Sequence, residues 1–347
     1  MKILSSLFAI AFAATLSASV QASNPLPALG ASTDATSVSG LSSGAFMAVQ
    51  YQVAYSGSVV GSGIVAGGPY YCAAGQYFNL PGIFSCMGMP FTWPLSSTLM
   101  VSAAQSFATM GEIDPVANLK KSRIYVFSGT NDKVVYQPAV NTTVAFFQGI
   151  GVPNKNVKYV KTVPSGHALI TPAFGNTCEV NAAPFISHCT VGKAPYDQPG
   201  QILSQIYGTL KPAATARTGQ LLTFNQREFA NAGSSMAEDA FLYVPASCTS
   251  GGCKVHVAFH GCLQSAKYVQ DDFYGKSSYN DWADTNNIIV LYPQVDDLPL
   301  LNEKGCWDWT GYTGASYAFK SGVQMTAIHS MIERLSSAPA SSVAAAQ

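Results

Sequence analysis

Apolar and polar positions alternate along the chain in a way that predicts repeated strand–helix units. Near-continuous apolar runs of four to seven residues, as in residues 123–127, 254–259 and 288–293, predict buried parallel strands. Longer segments, at 45–52, 102–110, 141–150, 280–286 and 323–335, predict helices. Residues 221–229 and 239–245 predict a strand hairpin, and residues 69–98, rich in Gly, Pro and Tyr, a long loop. The fold class expected is therefore α/β, with a mainly parallel sheet covered by helices on both faces.

The first 22 residues differ from the rest and predict a secretory signal peptide. Met1-Lys2 is followed by an apolar run to Leu16 and by small residues ending at Ala22, where cleavage is expected. A retained membrane anchor is the weaker alternative because the run is short for a bilayer span. One catalytic domain is expected over residues 23–335, with a disordered Ser/Ala/Pro-rich tail at 336–347.

Composition narrows the range of functions. The chain has 18 basic and 18 acidic residues among 347, with no basic run, so no nucleic-acid partner is expected. Charged residues make up only 10%, which suits an exported protein acting on an uncharged substrate. Eight cysteines in an exported chain favour disulfides, and loop spacing suggests four pairs. These are Cys72 with Cys86, Cys178 with Cys189, Cys248 with Cys253, and Cys262 with Cys306.

Residues 40–44 read Gly-Leu-Ser-Ser-Gly, the pattern of a nucleophile elbow between a strand and a helix. The glycine spacing selects Ser42 as the nucleophile over Ser37, Ser39 and Ser43. A serine needs a base to take its proton and an acid to hold that base. Both occur on later strand-end loops, as Asp132 and His167, in the order Ser, Asp, His of α/β-hydrolases.

Rival residues exist for both partners of the serine. The histidines at 188, 256, 260 and 329 fall in a cysteine-bounded loop, a strand, a strand-end loop and a helix, where structural roles are more common. Asp114 precedes a proline and suits a turn, whereas Asp296 and Asp297 follow a strand and are true rivals. A metal site is not expected, because no C-x-x-C or H-E-x-x-H motif is present.

An oxyanion hole needs two N–H groups, normally one from the residue after the nucleophile and one from a His-Gly loop. Ser43 supplies the first. The strand-terminal His260-Gly261 lies more than two hundred residues after Ser42, whereas such a loop usually precedes the nucleophile. A circularly permuted hydrolase would have this order. The alternative is that residues 213–335 form an unrelated second domain.

Five segments together resemble the poly(3-hydroxybutyrate) depolymerases, and most closely their single-domain group with a circularly permuted α/β-hydrolase fold. They are residues 40–44, 128–132, 165–167, 259–262 and 305–309. The resemblance implies Ser42, Asp132 and His167 as the catalytic residues. It also implies Ser43 and Cys262 as oxyanion-hole donors, Trp307 as a lining residue of the polyester crevice, and no cofactor. Trp309 is a further candidate for the crevice.

The multidomain members carry a linker and a substrate-binding domain, and neither is expected in this sequence, so its action on crystalline polymer, amorphous polymer or soluble oligomers is left open. The leading hypothesis is a secreted, monomeric esterase that acts on polyester polymer or oligomer and has no membrane anchor after signal cleavage. The alternatives are a carbohydrate esterase, acting on feruloyl or acetyl groups, and a non-catalytic polymer-binding protein.

Overall fold

The computed structural model describes residues 24–74 and 80–339. The predicted signal peptide and most of the predicted tail lie outside these residues. No helix in the described segments has both the length and the apolar character needed to cross a bilayer.

The helices and strands largely follow the predicted order. The helices are α1 (Ser43–Ala54), α2 (Leu80–Cys86), α3 (Ser97–Thr109), α4 (Gln137–Gly149), α5 (Gln198–Tyr207), α6 (Ala266–Val269), α7 (Asp272–Lys276), α8 (Tyr279–Asn286) and α9 (Val323–Ser336). The strands are β1 (Ser32–Leu41), β2 (Val59–Val65), β3 (Arg123–Phe127), β4 (Val157–Val160), β5 (Leu169–Thr171), β6 (Asn176–Thr177), β7 (Ile186–His188), β8 (Thr190–Val191), β9 (Ala194–Pro195), β10 (Gln220–Asn225), β11 (Asp239–Val244), β12 (Lys254–Phe259) and β13 (Ile288–Tyr292).

Strands from both halves of the chain form one eight-stranded sheet within the described residues, in the order β10-β11-β13-β12-β1-β2-β3-β4. The six strands from β13 to β4 are parallel, and β10 and β11 form an antiparallel hairpin at one edge. The strand β1 lies between β2 and β12, so a strand of the last third of the chain borders the first strand. This neighbour is the one that circular permutation requires.

Side chains alternate between the two faces of the sheet along each strand, and helices cover both faces. On β1, the hydroxyls of Ser37 and Ser39 face Tyr207 and Tyr279, which belong to α5 and α8. The next residue, Gly40, faces the opposite way, towards α1. All twelve residues of α1 are buried, as are all five of β13, so the core extends across the centre of the sheet. The predicted α/β class is therefore confirmed.

The four predicted disulfides, Cys72–Cys86, Cys178–Cys189, Cys248–Cys253 and Cys262–Cys306, are all present. The predicted long loop at 69–98 needs correction, since α2 and the start of α3 lie within it. The helices α5, α6 and α7 and the short strands β5 to β9 were not predicted from the apolar pattern. The last helix includes Ser336, the first residue assigned to the predicted tail.

Candidate active site

The Gly-Leu-Ser-Ser-Gly segment forms a sharp turn between β1 and α1. Ser42 has φ 57° and ψ −124°, a strained backbone for a residue with a side chain, and its N–H donates to Val65 O at 3.0 Å. The two glycines are required by space: a Cβ on Gly40 would lie 2.2 Å from Gly44 O, and one on Gly44 would lie 2.3 Å from His260 O. The turn thereby presents Ser42 at the carboxyl end of the sheet, where α/β folds place their sites.

Asp132 lies in the turn that follows β3 and is buried. Its Oδ1 accepts the backbone N–H groups of Val134 at 2.8 Å and Val135 at 3.0 Å. These two bonds fix the carboxylate so that Oδ2 points towards the histidine loop. The loop approaches closely because residue 129 is glycine: a Cβ there would lie 2.3 Å from Ser165 O.

His167 is the partner of that carboxylate. Its Nδ1 lies 2.9 Å from Asp132 Oδ2, and both side chains are almost fully buried. An aspartate on Nδ1 leaves Nε2 free to act as a base, the arrangement of a Ser-His-Asp triad. Ser42 and His167 line the same cleft, but no hydrogen bond joins them in the described part of the chain. Such contacts are often long in enzymes without substrate and tighten on binding.

Two backbone N–H groups beside Ser42 have no hydrogen-bond partner among the described residues, those of Ser43 and Cys262, and both residues line the cleft. The His260-Gly261 loop adjoins the serine, since a Cβ on Gly261 would lie 3.4 Å from the Ser42 Cβ. The Cys262–Cys306 disulfide pins this loop. The sequence-predicted donors are thus close to Ser42.

His260 itself is fully buried in a structural position. Its Nε2 accepts the N–H of Val295 at 3.0 Å, so Nδ1 carries the proton and donates to Gly261 O at 2.7 Å. Burial lowers the pKa of His260 to about 4, which keeps the ring neutral. The ring thus shapes the loop and is not placed to be the base.

The cleft has a volume of about 390 Å³ and is mostly apolar. Trp309 lines it and stacks on Phe46 with ring centroids 4.5 Å apart. Trp307, the other tryptophan expected in the crevice, has no exposed surface; its ring packs edge-on against Phe259 beneath the cleft. The backbone N–H of Trp307 donates to Ser43 Oγ at 3.3 Å, so Trp307 lies behind the elbow and does not line the cleft.

The rival histidines occupy other environments. His256 is fully buried between Ser37 Oγ and Ser39 Oγ, at 2.6 and 2.8 Å, and burial lowers its pKa to about 3. His329 stacks on Tyr55 on the α9 side. His188 is exposed on a short strand. None of these three lines the cleft.

The rival aspartates are held by lysines away from the cleft. Asp114 pairs with Lys320, and Asp296 and Asp297 both pair with Lys267.

A larger cavity, of about 590 Å³, lies at the amino end of β3, but its lining contains neither serine nor histidine. Its lining residues are Lys120, Lys121, Arg123, Pro153, Lys155, Asn156 and Gln205.

Sequence reasoning missed three residues that shape the site. Asn181 bonds to both the acid and the base loop. Phe185 packs edge-on against the His167 ring at 6.2 Å. Gln264 accepts the Gly261 N–H at 2.7 Å and donates to Phe185 O at 3.0 Å, so it ties two walls of the cleft together. No motif marks these residues, and only the cysteines that bracket Asn181 and Phe185 were a signal.

Comparison with known proteins identifies the family. No family model matches the chain. The chain is 45% identical to a poly(3-hydroxybutyrate) depolymerase of Delftia acidovorans over 92% of its own length, and spans 63% of that relative. It is 38% identical to a polyhydroxybutyrate depolymerase of Talaromyces funiculosus, covering 94% of this chain and 96% of the relative.

Solved structures agree with these relatives. A PHB depolymerase from Penicillium funiculosum matches with a TM-score of 0.81 and 36% identity, over 90% of this chain and 99% of that chain. A serine-to-alanine variant of a PHB depolymerase in complex with an R3HB trimer matches with the same score, identity and coverage. The identity and coverage together show that this chain belongs to the poly(3-hydroxybutyrate) depolymerase family, with its α/β-hydrolase-like fold.

Proposed function

We propose that the chain is an exported serine esterase that hydrolyses poly(3-hydroxybutyrate) or a similar short-chain polyhydroxyalkanoate through an acyl-enzyme. The observation that carries the proposal is the Asp132–His167 pair, which shares one cleft with the strained Ser42. The relative from Delftia acidovorans is longer than this chain, and the cleft and the relatives together support the substrate class.

The mechanism follows from the geometry. Ser42 Oγ attacks the ester carbonyl carbon while His167 Nε2 takes the hydroxyl proton. The N–H groups of Ser43 and Cys262 donate to the oxyanion that forms. His167 then gives the proton to the leaving alkoxide, which departs as an alcohol and leaves a 3-hydroxyacyl ester on Ser42. Water, deprotonated by His167, attacks this ester, and the acid leaves as Ser42 regains its proton.

The cleft suits an uncharged aliphatic ester. Leu41, Phe46, Met87, Val134 and Trp309 provide apolar surface beside the nucleophile. Such a lining binds a polyester chain by burying its methyl and methylene groups, while the few polar groups act on the carbonyl. We assign the substrate contact to Trp309, because Trp307 has no exposed surface.

A group of exposed aromatic side chains follows the cleft residue Met87 in the chain and favours a solid substrate over a soluble one. Met87, in the cleft lining, leads into residues 88–95, where Phe91 is fully exposed and Trp93 is 80% exposed. Phe84 and Leu99 add further exposed apolar area. Large exposed apolar side chains grouped in this way mark a site that contacts another apolar body, which we infer to be the polymer surface.

Export, a single catalytic domain and a monomeric state are part of the same proposal. Four disulfides are typical of proteins that fold in an oxidising compartment, which supports secretion. The assignment of residues 23–335 to one domain is supported by the central position of β1, which pairs with strands from both halves of the chain.

The test is clearing of an amorphous poly(3-hydroxybutyrate) suspension by the mature protein beside Ser42→Ala. We expect the wild type to clear it and the variant to lose at least about 10⁴-fold in rate, since the attacking oxygen is gone. The exposed Ser321 provides the control: Ser321→Ala should be as active as the wild type. Circular dichroism checks that each variant is folded.

Other outcomes would decide between the alternatives. Hydrolysis of p-nitrophenyl butyrate and of feruloyl or acetylated xylan, without clearing of the polymer, would favour the carbohydrate esterase. Polymer binding without turnover of any ester would favour a binding protein. Equal clearing by wild type and Ser42→Ala would show that the elbow serine is not the nucleophile.

A further inference from the structure

Asn181 makes four side-chain hydrogen bonds beside the catalytic pair. Its Oδ1 accepts the N–H of Lys133 at 3.0 Å and the N–H of His167 at 2.9 Å. Its Nδ2 donates to Asn131 O at 3.0 Å and to Glu179 O at 3.1 Å. These bonds use the two acceptor sites and two donor hydrogens of the amide, and they also fix which end is oxygen.

Three of the four partners of Asn181 lie beside the reacting groups. Asn131 and Lys133 are the chain neighbours of Asp132, and the third bond is to the backbone of His167 itself. One amide thus holds the peptide on each side of the acid and the peptide of the base. The bonds from Thr130 N to Val163 O and from Asn131 N to Ser165 O also join the two loops. Asn181 makes the contact nearest to the catalytic pair.

The segment that carries Asn181 is itself held against the histidine loop. The Cys178–Cys189 disulfide closes it, and Cys178 O accepts the N–H of Gly166 at 2.8 Å. A Cβ on Gly166 would lie 2.7 Å from Asn181 Nδ2 and 2.4 Å from Val180 O. The glycine before the histidine therefore makes room for the amide to approach.

We propose that Asn181 is a positioning residue of the esterase, which sets the distance between Asp132 and His167 by bonding to the loops of both. The proposal rests on the proposed serine-esterase function and adds a residue to its machinery. Asn181 touches neither the nucleophile nor the proton in transit. It acts through the orientation of the imidazole, and a misplacement of the base by about 1 Å can cost about 100-fold in rate.

The matched control is another asparagine of the same segment. Asn176 Nδ2 donates to Ala182 O at 3.0 Å and Ala183 O at 3.1 Å, so it holds its own loop without bonding to the acid or base loop. A variant at Asn176 therefore reports on loop folding alone.

The experiment compares Asn181→Ala, Asn181→Asp and Asn176→Ala on p-nitrophenyl butyrate. We expect Asn181→Ala to lower kcat about 10- to 100-fold with KM within about twofold of the wild type, since the apolar lining residues of the cleft are unchanged although Asn181 borders it. Asn176→Ala should keep kcat within about twofold. Asn181→Asp keeps the acceptors but adds a negative charge beside His167, which should move the acid limb of the kcat/KM profile to higher pH.

A second readout does not depend on turnover. The proton between His167 Nδ1 and Asp132 gives a downfield proton resonance in nuclear magnetic resonance, which we expect to be lost or shifted in Asn181→Ala and kept in Asn176→Ala. An unchanged resonance in Asn181→Ala, kcat within twofold of the wild type, or equal losses in the two alanine variants would each overturn the proposal. If the wild type fails on poly(3-hydroxybutyrate) but hydrolyses the soluble ester, the substrate proposal fails and the positioning role is still tested.

Discussion

At the scale of single residues, burial separates the histidines by role. His167 lies at the cleft beside a carboxylate, whereas His256 and His260 are fully buried with neutral partners. Burial lowers the pKa of His256 to about 3 and that of His260 to about 4, because the interior disfavours the charged imidazolium. These two rings support β1 and the His260-Gly261 loop only while they are neutral.

This neutrality predicts acid sensitivity of the fold. In the unfolded chain both histidines titrate near their usual pKa of about 6.5. The unfolded state therefore binds more protons between about pH 6.5 and pH 4, and the free energy of unfolding falls as pH is lowered through that window. Each histidine contributes about 1.4 kcal/mol per pH unit well below 6.5.

Urea unfolding of the wild type and His256→Asn at pH 7, 6 and 5 measures this slope. The variant should show the shallower pH dependence, whatever its stability at pH 7. If the free energy of unfolding had the same pH dependence in the two proteins, His256 would not be a group that binds a proton only in the unfolded state.

The distance along the chain between interacting residues decides which site residues can be predicted from the sequence. The elbow is set by glycines two positions from Ser42, and that spacing is visible in the chain. Asn181 instead meets partners 14, 48 and 50 positions away, a relation that one sequence does not contain. Trp307 and Trp309 both fall in the same loop, and only their packing shows that one faces Phe259 and the other the cleft.

At the scale of elements, most strands and helices follow from apolar runs, and the elements that were not predicted have physical reasons. The helix α5 was missed because Pro199 and Gly200 near its start resemble a loop. Asp197 caps it by accepting the Gly200 N–H, and proline is tolerated in a first turn, so a start signal was present. The order of strands in the sheet is long-range, and only the displaced His-Gly loop predicted it.

The Cys262–Cys306 disulfide joins the His260-Gly261 loop to the loop that carries Trp307, and it gives a prediction at this scale. Cys262–Cys306 closes 44 residues and Cys248–Cys253 only five, so chain entropy assigns them about 4 and about 2 kcal/mol of stability. Cys262 also borders Ser42, so replacing the first pair by alanine should lower activity as well as stability.

Thermal unfolding and p-nitrophenyl butyrate hydrolysis compare the two double-alanine variants. We expect the variant without Cys248–Cys253 to keep kcat near the wild type and the variant without Cys262–Cys306 to lose it at least tenfold at a temperature where both are folded. Full activity without Cys262–Cys306 would show that the loop holds its shape unaided.

At the scale of the whole molecule, a group of exposed aromatic side chains follows the cleft residue Met87 in the chain. Phe91 and Trp93 belong to this group, whereas Leu221 is an exposed apolar residue on β10, at the antiparallel edge of the sheet. The proposed function therefore assigns contact with the solid substrate to the exposed aromatic residues and cleavage of the bound ester to the cleft.

Substitution at Trp93 tests this separation. Trp93→Ala should slow clearing of the polymer suspension about three- to tenfold, because apolar contact area is lost, and leave hydrolysis of p-nitrophenyl butyrate unchanged. Leu221→Ala, an exposed apolar residue on β10, should change neither rate. Equal slowing on both substrates would place Trp93 in the support of the cleft and not on a contact surface.

The position of β1 also has a consequence for how the protein is made. Ser37 on β1 meets His256 on β12, a partner 219 positions later in the chain. During synthesis β1 can pair with β2 early, but its other edge stays open until the last third of the chain arrives. Contacts of such long sequence separation slow folding, and an open apolar edge invites association with other chains. The strand β1 is thus among the first parts made and the last to be enclosed, which makes chaperone protection most valuable for the half of the molecule that carries Ser42.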